Sequence, residues 1–226
     1  MKCGVVTFPG SNCNHDMTYA LSNIHNQNVK ELWHKYQDTQ NCALIVLPGG
    51  FSYGDYLRSG AIARFSPIMK EVVKHANNGG LILGICNGFQ ILCEAGLLPG
   101  TLLHNNNQKF ICKNTFLKPV SQSAAISKRL SQSNSYKIPI AHGEGRYYAS
   151  EKTINDLFLN DQILFQYSDR NGYINEQSNP NGSLKNIAGV ANFKKNILGM
   201  MPHPERAVDA LLGNIDGLDL FNSLLN

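Results

Sequence analysis

The chain has 226 residues, 42% of them hydrophobic and 16% charged, which is typical of a globular domain with a substantial core and excludes a disordered segment. Its net charge of +4 is spread along the chain, which argues against nucleic-acid binding. No apolar run reaches membrane-spanning length, no signal-peptide pattern is visible, and the six cysteines form no Cys-x-x-Cys pair, so we expect a cytoplasmic protein that binds no membrane and no metal.

Apolar runs alternate with helix-length segments through the first half of the chain. Short apolar runs predict strands, and apolar residues spaced three and four apart predict helices. In chain order these are strand 3–8, a helix within 14–25, strand 29–35, strand 43–47, helix 60–77, strand 81–85 and helix 87–95, which Gly96 caps. This alternation predicts an α/β fold in three layers, with a mostly parallel central sheet and helices on both faces.

The second half of the chain changes character. Strands are predicted within 102–120 and 138–149 and at 161–168, 187–193 and 197–201, with a polar hairpin loop at 171–186 and a closing helix at 216–225. We find no internal repeat, low-complexity tract or linker. The sequence therefore predicts a single domain over residues 1–226.

The segment LPGGFSYGD, residues 47–55, ends the predicted strand 43–47 with paired glycines, which indicate a close approach of the backbone to another group. Two interpretations compete: a loop that holds a phosphate and a loop that holds an oxyanion. Gly49 and Gly54 have the spacing of a phosphate-binding loop, but Asp55 and Tyr56 stand where that loop needs Lys and Ser or Thr. An acidic residue at that point repels a phosphate, so this segment is not a nucleotide-binding loop.

Cys86 lies in the motif GICNG, residues 84–88, between a predicted strand and a predicted helix. Glycines on both sides allow the sharp strand-to-helix turn called a nucleophile elbow. At such a turn the side chain sits at a helix N-terminus, where the helix dipole and free amide groups favour a reactive thiolate. The alternative is a buried structural cysteine, and for Cys86 taken alone the catalytic and the structural interpretations are equally supported. We assign no chemistry to the other five cysteines, and Cys93 belongs to the core.

A thiolate nucleophile needs a base and an acid that orients the base. The motif MPHPE, residues 201–205, supplies His203 and Glu205. Pro204 biases His203 toward an extended conformation, in which side chains two residues apart project to one side. Glu205 can then accept the imidazole N–H and direct the other ring nitrogen at Cys86. The paired motifs predict a catalytic triad of Cys86, His203 and Glu205.

The glycines of residues 47–55 acquire a role beside this triad. If strand 43–47 ends at the same edge of the sheet as Cys86, the N–H of Gly50, or alternatively that of Phe51, faces the site. Together with the N–H of Asn87 it would form an oxyanion hole. A plain turn at the end of a strand is the alternative, and it would be favoured without Cys86 and His203.

These motifs together resemble the class I (triad) glutamine amidotransferases, which hydrolyse glutamine to glutamate and deliver ammonia to a partner active site. The segments that narrow the resemblance to the glutaminase subunits of phosphoribosylformylglycinamidine synthase, an enzyme of purine biosynthesis, are GVVTFPGSN (4–12), FSYGDYLRSGA (51–61), AHGEGRY (141–147) and PHPER (202–206). The resemblance implies a flavodoxin-like fold and hydrolysis of L-glutamine through a thioester on Cys86.

The resemblance also implies substrate contacts and partners. Gln90, one helical turn after Cys86, would contact glutamine, and Asn105 is a second pocket residue, although Asn106 and Asn107 leave that alignment open. The chain would carry no cofactor of its own. ATP and Mg²⁺ would belong to a synthetase (large) subunit that acts on formylglycinamide ribonucleotide, together with a small bridging subunit.

Two other functions stay open on the residues alone. One is a cysteine peptidase or deglycase-like hydrolase on a similar sheet, and the other is a structural subunit without activity. The Pro-Gly-Gly loop, Gln90 and the His-Pro-Glu motif argue against the first. The intact Cys86, His203 and Glu205 argue against the second.

Overall fold

The computed structural model describes residues 1–226, the whole chain. It contains five α-helices and eleven strands, in one large sheet and one small sheet. The strands are β1 Lys2–Thr7, β2 Asn28–Trp33, β3 Leu44–Leu47, β4 Leu81–Ile85, β5 Thr101–Leu103, β6 Ile111–Pro119, β7 Tyr136–His142, β8 Arg146–Tyr148, β9 Ile163–Ser168, β10 Ile187–Ala191 and β11 Ile197–Met200. The α-helices are α1 Asn14–Tyr19, which continues as a π-helix to Ile24, α2 Pro67–Asn77, α3 Asn87–Glu94, α4 Glu151–Leu159 and α5 Gly217–Leu225. None of the helices is both long and apolar enough to cross a bilayer.

The large sheet has nine strands in the order β2-β1-β3-β4-β11-β10-β9-β6-β7. From β2 to β11 every neighbouring pair is parallel, and from β11 to β7 every pair is antiparallel. The order 2-1-3-4 at the parallel end is that of flavodoxin-like folds, which confirms the predicted fold class. β5 and β8 form the separate antiparallel pair.

The helices pack on the two faces of the sheet. The crossover from β1 to β2 and the crossover from β3 to β4 run in opposite directions along the sheet, so their right-handed helices α1 and α2 lie on opposite faces. α5 joins the α1 side, where Phe221 packs against the ring of His25. α3 covers β3, β4 and β11. Both faces of the central strands are thereby buried, which explains the uninterrupted apolar runs of β3 and β4.

Strand register decides which residues meet at one edge of the sheet. Leu47 of β3 pairs with Gly84 of β4, and Ile85 at the end of β4 pairs with Met200 at the end of β11. The three strands are parallel, so the segments that follow them leave the sheet at the same edge. This edge therefore receives the paired glycines after β3, Cys86 after β4 and His203 after β11.

Three local differences from the predicted elements have physical causes. The helix predicted at 60–77 begins only at Pro67, because the residue before a proline is driven out of the helical region and Ser66 is extended at ψ 145°. Helix α4 lies in a segment for which the sequence predicts no element, and its cap is Ser150, whose side chain accepts from the N–H of Thr153. The loop predicted at 171–186 does join two antiparallel strands, β9 and β10, but its last residues form a 3₁₀-helix at Leu184–Asn186.

Candidate active site

Cys86 occupies the turn between β4 and α3, as the sequence predicts. Its backbone has φ 50° and ψ −107°, a conformation that a residue with a side chain rarely adopts. The flanking glycines make the turn possible: a Cβ on Gly84 would lie 2.6 Å from Leu92 Cδ1 and 2.8 Å from the carbonyl of Gly88, and a Cβ on Gly88 would overlap the carbonyl of Leu47. A strained turn of this kind, held by tight packing, is the structure of a nucleophile elbow.

His203 and Glu205 form a buried pair directly after β11. His203 Nδ1 and Glu205 Oε1 are 2.7 Å apart, and both residues are 2% exposed. The His203 main-chain N–H donates to the carbonyl of Pro139 at 2.8 Å, which fixes the segment against β7. His203 Nε2 has no hydrogen-bond partner within the protein. The pair therefore leaves one ring nitrogen free for chemistry.

The charge of His203 depends on its neighbours. Burial alone would lower the pKa of the imidazole, but the Glu205 carboxylate and the Cys86 sulfur raise that pKa well above its ordinary value of 6.5. The arrangement favours the imidazolium form of His203. An imidazolium beside a cysteine favours the thiolate, which is the nucleophilic form of the sulfur.

Gly49 lies where Cys86 and His203 approach each other. A Cβ at this position would be 2.6 Å from His203 Cε1 and 3.4 Å from Cys86 Cβ. Residue 49 must therefore be a glycine, because any side chain at this position would occupy the gap between Cys86 and His203.

Cys86 borders two adjoining cavities of about 160 Å³ and about 250 Å³. Gly50, Phe51, Phe110 and Ala141 line both of them, the smaller also reaches Gln90, and the larger reaches His203. A wider concavity of about 720 Å³ borders Glu205, but Cys86 is not in its wall, so we do not take it as the reaction site.

The amides predicted for the oxyanion hole are both free. Neither the Gly50 N–H nor the Asn87 N–H has an acceptor within the protein, whereas the Phe51 N–H donates to the carbonyl of Gly10 at 3.2 Å. Of the two alternatives at this turn the structure leaves Gly50 available. Asn87 is the first residue of α3, where the dipole of the helix adds to the donor. That these amides hold an oxyanion stays a prediction.

Gln90 lines the 160 Å³ cavity, and its amide group is held by protein atoms. Its Oε1 accepts from Asn87 Nδ2 at 2.9 Å, and its Nε2 donates to the Glu144 carbonyl at 2.6 Å. The Asn87 side chain also donates to Asp55 Oδ1 at 3.2 Å. Gln90 therefore ties α3 to the segment after β7 across the wall of the cavity. Its direct contact with substrate stays a prediction.

Asn105 is fully buried and does not line either cavity next to Cys86. Its Nδ2 donates to the carbonyls of Lys109 and His142, and its Oδ1 accepts from the Gly145 N–H and faces His142 Nδ1 at 3.1 Å. All of its bonding positions are used within the protein, so the structure shows it as the residue that orients His142. Direct contact of Asn105 with substrate stays a prediction.

Cys13 is the residue at this edge that the sequence prediction passed over. Its sulfur accepts from Arg206 Nη2 at 3.1 Å, and a Cβ on Gly49 would lie 3.2 Å from it. Cys13, His203 and Glu205 each place one potential metal-ligand atom within 4.8 Å of the others. His203 and Glu205 are already bonded to each other, and the absence of a metal remains a prediction. Cys13 lies in no recognisable motif. It comes to this edge of the sheet only through the course of the loop after β1, which the sequence does not reveal.

Comparison with known proteins gives consistent results. Residues 1–217 match the model of the CobB/CobQ-like glutamine amidotransferase domain. The chain is 51% identical to phosphoribosylformylglycinamidine synthase subunit PurQ of Salinibacter ruber, covering 100% of this chain and 96% of that protein. It is 54% identical to the subunit of the same name from Chlorobium chlorochromatii, covering 98% of this chain and 94% of that protein.

Solved structures show the same relationship. The chain is similar to a chain in the structure of PurLQS from Thermotoga maritima, with a TM-score of 0.87 and 42% identity over 100% of this chain and 97% of that one. A putative GMP synthase subunit from Thermoplasma acidophilum, at a TM-score of 0.65 and 16% identity over 100% of this chain and 92% of that one, shares the fold alone.

Proposed function

The chain belongs to the CobB/CobQ-like glutamine amidotransferase family, and from that membership we infer that it is the glutaminase subunit of a phosphoribosylformylglycinamidine synthase. It hydrolyses L-glutamine to glutamate and ammonia, and the ammonia is used to convert formylglycinamide ribonucleotide to formylglycinamidine ribonucleotide. The single observation that supports the chemistry most strongly is the meeting of the Cys86 elbow with the buried His203–Glu205 pair across Gly49.

The first half of the reaction forms a thioester. The Cys86 thiolate attacks the amide carbon of glutamine, and the carbonyl oxygen becomes an oxyanion within reach of the Gly50 and Asn87 amides. The His203 imidazolium then gives its proton to the amide nitrogen, the carbon–nitrogen bond breaks, and ammonia leaves. The Glu205 carboxylate stabilises the charge on His203 and holds the ring in position.

The second half releases glutamate. His203, now neutral, takes a proton from a water molecule as that water attacks the thioester carbon. A second oxyanion forms at the same amides and collapses by breaking the carbon–sulfur bond, which returns the Cys86 thiolate. The imidazolium is regenerated in the same step, so the site is ready for another glutamine.

The partner of this chain is a synthetase subunit. The Thermotoga maritima structure carries the name PurLQS, which supports an assembly of that kind. The synthetase would bind ATP and Mg²⁺ and the ribonucleotide, and a small bridging subunit would complete the complex.

Substitution of the nucleophile tests this function. Cys86→Ala should abolish release of glutamate from glutamine, while the complex with the synthetase still forms product from an ammonium salt. Cys112→Ser, an exposed cysteine on β6, is the matched control and should leave both activities unchanged. Persistent glutamine hydrolysis in the Cys86→Ala complex would show that another residue is the nucleophile.

A further inference from the structure

The 160 Å³ cavity beside Cys86 contains two carboxylates, Asp55 and Glu144. No lysine or arginine lines it, and the other titratable side chains in its wall are Cys86, His104 and His142. The triad does not use either carboxylate. The exposed His104 places its Nε2 3.5 Å from Glu144 Oε1, and no lysine or arginine pairs with either acid. Two acidic groups in the wall of one small cavity, without a lysine or arginine beside them, indicate a site that is completed by a positively charged group on the ligand.

Hydrogen bonds hold both carboxylates in place. Asp55 Oδ1 accepts from Asn87 Nδ2 at 3.2 Å, and the Ser59 side chain lies near enough to this carboxyl to lower its pKa. The Ser59 main-chain N–H faces Glu144 Oε2 at 3.4 Å, so Ser59 links the two acids. Burial raises the pKa of Asp55, Ser59 and Asn87 oppose that rise, and the nearby Glu144 charge adds to it. Their mutual repulsion is the cost that a cationic ligand removes.

His142 gives a second, independent indication of a ligand. It is 3% exposed and lines the same cavity, and its Nε2 has no partner within the protein. Both amide hydrogens of Asn105 are donated to carbonyls, so Asn105 Oδ1 accepts and His142 Nδ1 carries the proton. Burial lowers the pKa of this imidazole to about 4, so the ring is neutral and Nε2 is an acceptor. A buried acceptor without a donor is expected to meet one on a bound molecule.

We propose that Asp55 and Glu144 bind the α-ammonium group of glutamine and are specificity-determining residues of the reaction. The proposal rests on the proposed function, which fixes the amide carbon of the substrate at Cys86. Three carbon–carbon bonds separate that carbon from the α-carbon, so the ammonium lies within roughly 5 Å of it, in one of the two cavities that Cys86 borders. Arg206 lines the 250 Å³ cavity and no carboxylate does, so the ammonium is favoured in the 160 Å³ cavity with Asp55 and Glu144. Its N–H groups match an acceptor-rich wall. The α-carboxylate is repelled by the same acids and must point away from them, which selects one configuration at the α-carbon.

The test compares substrates with and without the ammonium group. The full chain with its synthetase subunit is assayed with L-glutamine, with D-glutamine and with glutaramate, which keeps the amide, the chain and the carboxylate but lacks the amino group. Wild-type protein should prefer L-glutamine to both others. Asp55→Asn and Glu144→Gln should each raise KM for L-glutamine roughly 10- to 100-fold, with a smaller change in kcat. The same variants should change kcat/KM for glutaramate less than about threefold, since that substrate has no group to lose.

A matched control and a second measurement separate the outcomes. Glu71→Gln removes a carboxylate that lies on α2, pairs with Lys74 and does not line the cavity, and it should alter neither substrate. If Asp55→Asn and Glu144→Gln slow glutamine and glutaramate equally, these residues shape the site in general and the proposal is overturned. Where a variant is too unstable for kinetics, calorimetric titration of wild-type and Cys86→Ala protein decides the matter, because equal affinity for glutamine and glutaramate contradicts ammonium recognition. Failure of the proposed function looks different, since wild-type protein would then release no glutamate from glutamine.

Discussion

Gly49 and His203 share a space that has room for only one side chain. A Cβ at residue 49 would lie 2.6 Å from Cε1 of the His203 ring, closer than two nonbonded carbon atoms approach in folded proteins. Strand register produces this relationship, because Leu47, two residues before Gly49, pairs with Gly84, two residues before Cys86. The His203 ring and the Cys86 side chain therefore approach each other at the place where residue 49 has no side chain.

Gly49→Ala should inactivate the glutaminase without removing any catalytic group. The new methyl group displaces the His203 ring, and a displacement of about 1 Å in a catalytic group costs on the order of 100-fold in rate. Steady-state release of glutamate measures the loss. Gly172→Ala is the control for a loss of stability without a clash at the triad. The φ of 80° at residue 172 makes an alanine destabilising, but its Cβ would meet no atom within 4 Å. Equal activity losses in the two variants would contradict a steric effect at the triad.

Glu205→Gln should move the alkaline limb of the pH profile to lower pH. The Glu205 carboxylate stabilises the protonated form of His203, so its removal lowers the raised pKa of the imidazole. Activity that requires the imidazolium is then lost at a lower pH than in the wild type. The profile of kcat/KM for glutamine, measured from pH 5 to pH 10, checks the direction. An alkaline limb that stays in place while kcat falls would assign Glu205 an orienting role alone.

His142 should make the protein less stable as the pH falls from about 6.5 to about 4. In that interval the unfolded chain binds a proton at this residue and the folded protein does not, because burial lowers the folded pKa to about 4. The free energy of unfolding should decrease by up to about 3 kcal/mol from this residue. Urea unfolding at several pH values measures the slope. His142→Asn should flatten it, while His25 and His34, whose pKa values are also lowered by burial, remain in both proteins. Identical slopes would argue against this assignment.

Ser150→Ala should lower the free energy of unfolding by about 1 kcal/mol. The Ser150 side chain accepts from the N–H of Thr153 at 3.2 Å and is the cap of α4. Glutaminase activity should be unchanged, since α4 contributes no residue to the cavities at Cys86. Urea unfolding gives the stability difference. Ser150→Asp keeps an acceptor and should retain most of the stability, so an equal loss in both variants would rule out the cap as the cause.

The sequence predicted those parts of the fold in which local patterns and burial agree. β4 has the predicted bounds because residues 81–85 are apolar and are followed by the elbow motif. α3 ends where Gly96, with φ 69°, leaves the helix. By contrast, no local pattern tells which strand lies next to β4, and the place of β11 between β4 and β10 depends on contacts between distant parts of the chain. The alternation of strands and helices also could not predict that the second half of the sheet is antiparallel.

The triad could be predicted because the elbow motif and the His-Pro-Glu motif each define a local backbone geometry. The positions of the other groups of the site depend on loop conformation. Asp55 follows Tyr53 and Gly54, and all three have positive φ, so the segment turns back toward α3 in a way that no periodicity reveals. Glu144 was visible only as part of the motif after β7. Cys13 reaches His203 because β1 ends at the same edge as β3. Such residues are found only when the strand order is known.

The place of β11 has a consequence for the protein while it is being synthesised. β4 leaves the ribosome long before β11, although β11 must lie directly beside it. Until then the nascent chain presents an unpaired strand edge next to Cys86, which exposes it to wrong pairing with other chains. A chain truncated before β11 also lacks His203 and Glu205, so it has no catalytic base and cannot consume glutamine.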